Sequence, residues 1–374
     1  MKDAMNDFAL NLYKTTLKEK SENFVASPFG AYFTLALVAY GARGPTMREL
    51  WDIMHLPYRT PDEFTKDCLK KTMNMFKDAT DVTLLNQKKL LINEGFIATR
   101  QYEEMLRDTF EASIDTVNFA SRIKTAETIN NWAKEVSENR ISEMVTSETL
   151  DPYMVLMLAN VLSFSGEWLQ PFERGPQEDF HVSENVVKSV PMMTRYGDLL
   201  HGDLPALKAH FIQLPYKNGN GAEEATYMYI IMPVHGNDFA YLEENISSLK
   251  LDDLQQGSVD NSVVYVPSFK MDTTLQLAHD ISRMGAPTAF SEEADFTEIS
   301  ARRTGLTISN IVQRISLAVD KISPIVLSPT SNFAEMVIAR LLTSYTFSAN
   351  RPFLMVIATK DLILFTGKVV DPTQ

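Results

Sequence analysis

A single cysteine, Cys68, in a chain of 374 residues excludes an internal disulfide framework and any cysteine-based metal cluster. Charged residues Lys66, Asp67, Lys70 and Lys71 surround it, and a half-buried, inert thiol is the expectation. Basic excess is missing as well. The 48 acidic and 35 basic residues give a net charge of −13 with no concentrated basic patch, which argues against nucleic acid as a partner. The short runs Lys70-Lys71 and Gln87-Lys88-Lys89 lie among apolar residues and read as solvated faces of a helix and a strand. No apolar run reaches the roughly 18 residues needed to cross a bilayer, so no membrane is implied. Met1–Asp7 has no signal-peptide core, although a leader already removed would leave no trace.

Catalytic motifs are equally scarce. The histidines, His55, His181, His201, His210, His235 and His279, occur singly, and none sits at a metal-ligand spacing. There is no G-x-S-x-G elbow and no kinase or phosphate-loop signature. Gly219 and Gly221 form a G-x-G without the strand-to-helix frame that a phosphate site needs. Ser, His and Asp are numerous, but abundance is no argument for a distant triad. The expectation is a protein that is not an enzyme and uses no cofactor and no metal.

What the chain does have is a core. Hydrophobic residues make up 45% of it and charged residues 22%, enough for a large globular unit. Phe8, Ala9, Leu12 and Tyr13 recur at helical spacing over 4–20. Ser27-Pro28 interrupts before an Ala- and Leu-rich buried helix at Tyr32–Tyr40. Gly41, Gly44 and Pro45 end that helix, and Thr46 is a candidate cap for another starting near Met47. Residues 62–78 read as a helix with an exposed basic face. Val82–Leu91 and Phe96–Ala98 read as strands, and Ala126–Val145 as a helix carrying Ile129, Trp132, Ala133 and Val136. Short strands follow at Met154–Phe164, Phe211–Leu214, Tyr227–Met232 and Val263–Val266, with Asn218-Gly219-Asn220-Gly221 as a hairpin candidate. Helices return at Ile246–Leu254 and Leu275–Met284. Helices first, strands later and no βαβ alternation predict a single α+β domain over 1–374 with antiparallel sheets.

Near the carboxy terminus, two apolar strand-like runs, Leu306–Val319 and Phe353–Val370, are joined by a connection of unusual length. Pro324, Pro329 and the polar Ser328–Asn332 cluster mark turns there. On loop statistics alone, a solvated surface loop and a functional segment are equally good readings.

Colinear motifs favour the second. Asn23-Phe24-Val25-Ala26-Ser27-Pro28, Leu35–Thr46, Ile129–Trp132, Asn160–Phe172, Pro191-Met192-Met193 and Leu214-Pro215-Tyr216 occur in order. Ile231-Met232-Pro233, Val266–Lys270, Met284–Phe296, Arg351-Pro352-Phe353 and Phe365–Pro372 follow them. Together, over nearly the whole chain, they resemble the serpin family of protease inhibitors. The resemblance implies a serpin fold: helices packed on a large mixed β-sheet, smaller antiparallel sheets, and an exposed reactive loop at about 321–347. Trp132, Trp168 and Phe353 are expected in the core.

It also implies that a protease attacks the loop and forms an acyl-enzyme, after which the cleaved loop inserts as a new strand. The hinge then corresponds to Lys321, Ile322, Ser323 and Pro324, where inhibitory relatives carry an acidic, glycine- and alanine-rich run. Pro324 and Pro329 cannot donate to a sheet, and Val326 and Leu327 are bulky, so standard insertion is expected to be impeded. Two bait positions compete, Arg340-Leu341 and Pro329-Thr330-Ser331-Asn332; with the latter, Glu335–Phe347 would be strand, although the same segment could equally begin as a helical turn. The sheet-opening region corresponds to Ser27, Gly30, Asn160 and Gln313, with Gln313 and Gly30 replacing the family's usual histidine and serine. The implied partner is a serine or cysteine protease. Two alternatives stay open: a non-inhibitory carrier, chaperone or interaction protein, and a papain-like target. A secreted, extracellular monomer is expected, with Asn245-Ile246-Ser247 as a glycosylation sequon; an intracellular location stays open.

Overall fold

The computed structural model describes residues 1–17, 21–56, 63–77, 79–217, 225–300, 305–319 and 344–374. Its amino-terminal part follows from local sequence chemistry. Helix α1 (Lys2–Leu17) buries Phe8, Ala9, Leu12 and Tyr13 on one face, and β1 (Phe24–Ala26) leads into α2 (Pro28–Ala39). At the start of α2 the Ser27 hydroxyl accepts a hydrogen bond from the Gly30 amide at 3.1 Å. Pro28 occupies the first turn, where no amide donor is needed. Every residue of α2 is buried, as suits a helix that is apolar all round. Next come α3 (Gly44–Ile53), α4 (Glu63–Met73), β2 (Val82–Asn93), α5 (Arg100–Phe110), β3 (Ser113–Val117) and α6 (Arg122–Val136).

From β4 (Leu156–Gly166) onward strands dominate: β5 (Glu173–Ser183), β6 (Val186–Leu204), β7 (Ala209–Pro215) and β8 (Thr226–Pro233). Helix α7 (Phe239–Asn245), β9 (Ser258–Pro267), β10 (Phe269–Gln276) and α8 (Ala278–Met284) precede β11 (Ile308–Val319). The last strands are β12 (Tyr345–Ser348), β13 (Phe353–Thr359) and β14 (Ile363–Val369). One sheet has nine strands, ordered β1-β14-β13-β8-β7-β6-β9-β12 with β5 on β6, and is antiparallel except where β12 joins β9. The other is mixed and five-stranded, ordered β10-β11-β4-β2-β3.

Strand β4 of the five-stranded sheet is buried on both faces. Leu158 and Leu162 of β4 point into the main core with α2, while Met157, Ala159 and Val161 point the other way, against Ile129 and Ala133 of α6. That double burial explains why β4 is apolar on both faces around Asn160 rather than alternating apolar and polar.

Several expectations from the sequence need correction. Thr46 lies inside α3, which Arg43 precedes as cap, and its hydroxyl accepts from Asp295 N. Phe96–Ala98 is not a strand; Ala98 makes one isolated bridge to Ser300. Helix α6 stops at Val136 because Glu138 and Asn139 adopt positive φ, which ends helical hydrogen bonding. Ile246–Leu254 is broken into 3₁₀ turns at Ile246–Ser248 and Leu251–Gln255. Leu275 and Gln276 belong to β10, not to a helix. Trp132 is only half-buried, with the Lys89 ammonium 5.4 Å from its ring centroid. The hairpin candidate 218–221 lies outside the described residues, although β7 and β8 on either side do pair antiparallel.

Candidate functional site

Strands β4 and β11 pair residues 152 or 153 positions apart in the chain yet run side by side in parallel. They pair from Leu156 opposite Ile308 to Phe164 opposite Leu317. Their outer neighbours, β2 on β4 and β10 on β11, are both antiparallel. Parallel pairing is slightly the weaker mode per residue. Like β2 with β3, strands β4 and β11 thus form a weaker parallel pair, here flanked by antiparallel ones, and this seam involves β11, the strand that precedes the long connection from 320.

Under the seam lies a buried polar knot. Asn160 shares the core-facing side of β4 with Leu158 and Leu162, and Gln313 shares that of β11 with Ile311 and Ile315. The Gln313 side chain makes two bonds to one residue. Its Oε1 accepts from Ser27 N, and its Nε2 donates to Ser27 O, both at 2.9 Å. Gln313 Nε2 also donates to Asn160 Oδ1 at 3.0 Å. Asn160 Nδ2 in turn donates to Asn86 Oδ1 (2.8 Å) and Gln87 O (3.0 Å) on β2. The Ser27 hydroxyl donates to Leu364 O of β14 at 2.8 Å, tying the knot to the second sheet.

Gly30 is part of the same construction. A Cβ at that position would sit 2.5 Å from Asn160 Oδ1 and 2.7 Å from a Leu162 methyl. The knot thus brings together Ser27, Gly30, Asn160 and Gln313, the four positions that the sequence assigned to sheet opening. The Gln313 amide provides both a donor and an acceptor without a titratable ring.

Sequence reasoning missed two members. Asn86 was not singled out, and its Nδ2 has no partner despite being buried. Lys88 was read as a solvated strand residue, but it is 4% exposed, on the core side of β2. Its Nζ donates to Asn86 O at 3.0 Å. Burial lowers its pKa to about 8 against a smaller opposing pull from Glu111. The available signal was period 2: Lys88 falls in phase with the buried Leu90 and Ile92, whereas Lys89 falls out of phase and pairs with Asp115.

At the far end of the connection, β12 is a short edge strand paired parallel with β9 from Tyr345 opposite Ser262. Ser344 N donates to Asn261 O at 2.8 Å. The Tyr345 ring stacks on His201, with centroids 3.5 Å apart, and His201 Nε2 lies 2.9 Å from Asp260 Oδ2. Phe347 is buried edge-on against His210 at 5.3 Å. Burial, then the Arg351 charge, push the His210 pKa down, against a smaller opposing effect of Asp203.

The hinge candidates Lys321, Ile322, Ser323 and Pro324 lie outside the described residues, as do the bait candidates Pro329, Thr330, Ser331, Asn332, Arg340 and Leu341. Of the strand reading Glu335–Phe347, the described part begins as strand at Tyr345. Cys68 is half-buried on α4. Asn245 ends α7, with Nδ2 donating to Tyr241 O. Among the described residues no three His, Cys, Asp or Glu side chains gather where they could hold a metal, and no helix is long and apolar enough to cross a membrane.

Comparison with known proteins accounts for this architecture. The family model for Serpin (serine protease inhibitor) matches residues 3–372. The chain is 27% identical to Ipis-1 of Ixodes persulcatus, covering 97% of each chain, and 25% identical to Alaserpin of Manduca sexta, covering all of this chain and 94% of that one. Its fold superposes on the crystal structure of Serpin48, described as a highly specific serpin in the insect Tenebrio molitor, with a TM-score of 0.86 at 25% identity, covering 99% of this chain and 97% of that one. Relatives are named as inhibitors, among them Antichymotrypsin-2 of Bombyx mori at 24% identity over 98% of this chain and 97% of its own length. The chain belongs to the serpin family of serine protease inhibitors, whose members are inhibitors of proteases rather than enzymes.

Proposed function

We propose that this chain, as one domain over 1–374, offers residues 321–347 as bait to a target protease and restrains that protease through a covalent intermediate. The protease nucleophile attacks a peptide carbonyl of the bait, the peptide C–N bond breaks, and the enzyme is left esterified (or thioesterified) to the new carboxyl end. The observation that carries this reading is the direct parallel pairing of β4 and β11. One strand running antiparallel to both would replace a parallel pair by two antiparallel ones. The 24 residues 320–343 reach about 80 Å when extended, against under about 30 Å for the seam. Anchorage of β12 on β9 would hold the downstream fragment while the upstream part moves.

The hinge opposes that movement. Pro324 and Pro329 are five residues apart, an odd spacing, so in an inserted strand one missing donor faces β4 and the other faces β11. Both ladders lose a bond, at a combined cost of roughly a few kcal/mol. Slow insertion makes the chain a poor trap for a serine protease with fast deacylation. It favours a papain-like cysteine protease, or one bait bond at Arg340-Leu341 or within Pro329–Asn332 that is only slowly hydrolysed. A secreted monomer fits the reading, since one chain supplies bait and sheet, and the Asn245 sequon suits a secretory route.

The test is a panel of serine and papain-like cysteine proteases mixed with the full chain, scored by residual activity, an SDS-resistant complex and mass spectrometry of the nicked bond. Inhibition of at least one enzyme with cleavage within 329–341 is the expected outcome. If no protease loses activity, the hinge prolines favour the second reading, a non-inhibitory serpin that serves as a carrier, chaperone or interaction protein.

A further inference from the structure

Away from the seam, a cavity of about 740 Å³ opens between the β5–β6 turn, the start of α7 and the β12–β13 turn. Its size is in the range of small-molecule sites, about 300–1,000 Å³. Val182, Phe239, Pro352 and Val370 give it apolar wall. Two cations line it, and their circumstances differ. Lys368 is 4% exposed and is neutralised by Glu243, with Nζ 2.7 Å from Oε1.

Arg351 has no such counter-charge. Its Nη1 donates to Val234 O at 3.0 Å and its Nε to Asn350 Oδ1 at 3.3 Å, both neutral acceptors. Among the described residues no carboxylate is paired with it. Glu184 also lines the cavity, but it is exposed on the β5–β6 turn, where water screens it. Arg351 is half-buried, and that partial burial lowers its pKa. A guanidinium remains charged at neutral pH nonetheless, and its planar fork suits a carboxylate or sulfonate.

We propose that this cavity is a binding site for an amphipathic organic anion, whose carboxylate or sulfonate meets Arg351 while its apolar body lies between Val182, Phe239 and Pro352. The Lys368–Glu243 pair then acts as a neutral floor. Because the β12–β13 turn forms one wall, a bound anion also ties β12 to α7 and raises the melting temperature in proportion to the logarithm of its concentration.

The test uses the intact chain and 8-anilinonaphthalene-1-sulfonate as fluorescent probe, with dodecanoate as competitor and uncharged N-phenyl-1-naphthylamine as control. One saturable site that dodecanoate displaces is expected. Arg351→Gln should weaken the sulfonate about tenfold or more while leaving the neutral probe little changed, since it removes a charge-assisted contact. Val182→Trp, which fills the cavity from a half-buried position, should abolish both. It keeps the test decisive if the arginine variant folds poorly. Absence of a saturable site, or equal sulfonate affinity in the wild type and Val182→Trp, overturns the proposal, because the probe would then be reporting scattered surface patches.

Discussion

In the nine-stranded sheet, every pairing from β1 through to β9 is antiparallel, and the strands at its centre, β13, β8 and β7, meet through apolar side chains such as Ile357, Ile230 and Phe211. In the five-stranded sheet, two parallel strands lie side by side over Ser27, Asn86, Lys88, Asn160 and Gln313, all below the surface or nearly so. The first sheet is held by packing, which is tolerant in detail and strong in sum. The second is held at its seam by a few directional bonds, each of which leaves a buried partner stranded if it is removed. A core of the first kind stays shut. One of the second kind is specific but sensitive to the loss of any single bond.

Gln313→Leu should bring out this contrast most strongly. It strands Ser27 N, Ser27 O and Asn160 Oδ1 together and should cost roughly 3 kcal/mol in denaturant unfolding. Ile230→Val in the nine-stranded sheet should cost only about 1 kcal/mol. Similar costs at the two sites would mean that the knot adds nothing beyond packing.

Lys88→Met should act in the opposite direction, stabilising the chain by roughly 2 kcal/mol at pH 7. The sign follows from linkage. The folded-state pKa of about 8 lies below the ordinary lysine value of about 10.5, so the stability tied to this group is present above the ordinary value and lost as pH falls through 8. Wild-type stability should therefore rise between about pH 8 and 10.5 in a way that Lys88→Met does not. Equal pH profiles for the two would place the ammonium in water.

The smallest effect concerns β12. His210, packed on Phe347, has a pKa below the ordinary histidine range, so its contribution is present above that range and lost as pH falls beneath it. His210→Gln should flatten the acid limb of the melting temperature against pH. An unchanged acid limb would remove His210 from the anchorage of β12.

Much of this was legible in the sequence because the relevant physics is local. The Ala- and Leu-rich run before Gly41 announces a buried helix, the apolar periodicity of α1 announces its buried face, and the colinear motifs announce the family. Less legible was anything set by distant partners. Helix α5 went unread although Tyr102, Leu106 and Phe110 recur every four residues, because the charged residues between them dominate the stretch. The pair β5 and β6 carries few continuous apolar residues, and its strand character comes from pairing with each other and with β9. The resemblance picked out Ser27, Gly30, Asn160 and Gln313 but not the bonds among them, since Ser27 and Gln313 are 286 residues apart. Lys88 was misplaced because two adjacent lysines look alike in sequence and face opposite sides of a strand.

The account rests on a seam that can accept a strand and a hinge that supplies one reluctantly. The most direct measurement is the melting temperature of the intact chain against the chain nicked within 329–341, for the wild type and for the Pro324→Thr/Pro329→Ala variant. The expected result is a small gain on nicking in the wild type and a gain of more than about 10 °C in the variant, equivalent to several kcal/mol of insertion. A wild-type chain that gains as much as the variant would contradict it, because the two prolines would then be no barrier to the inserted strand.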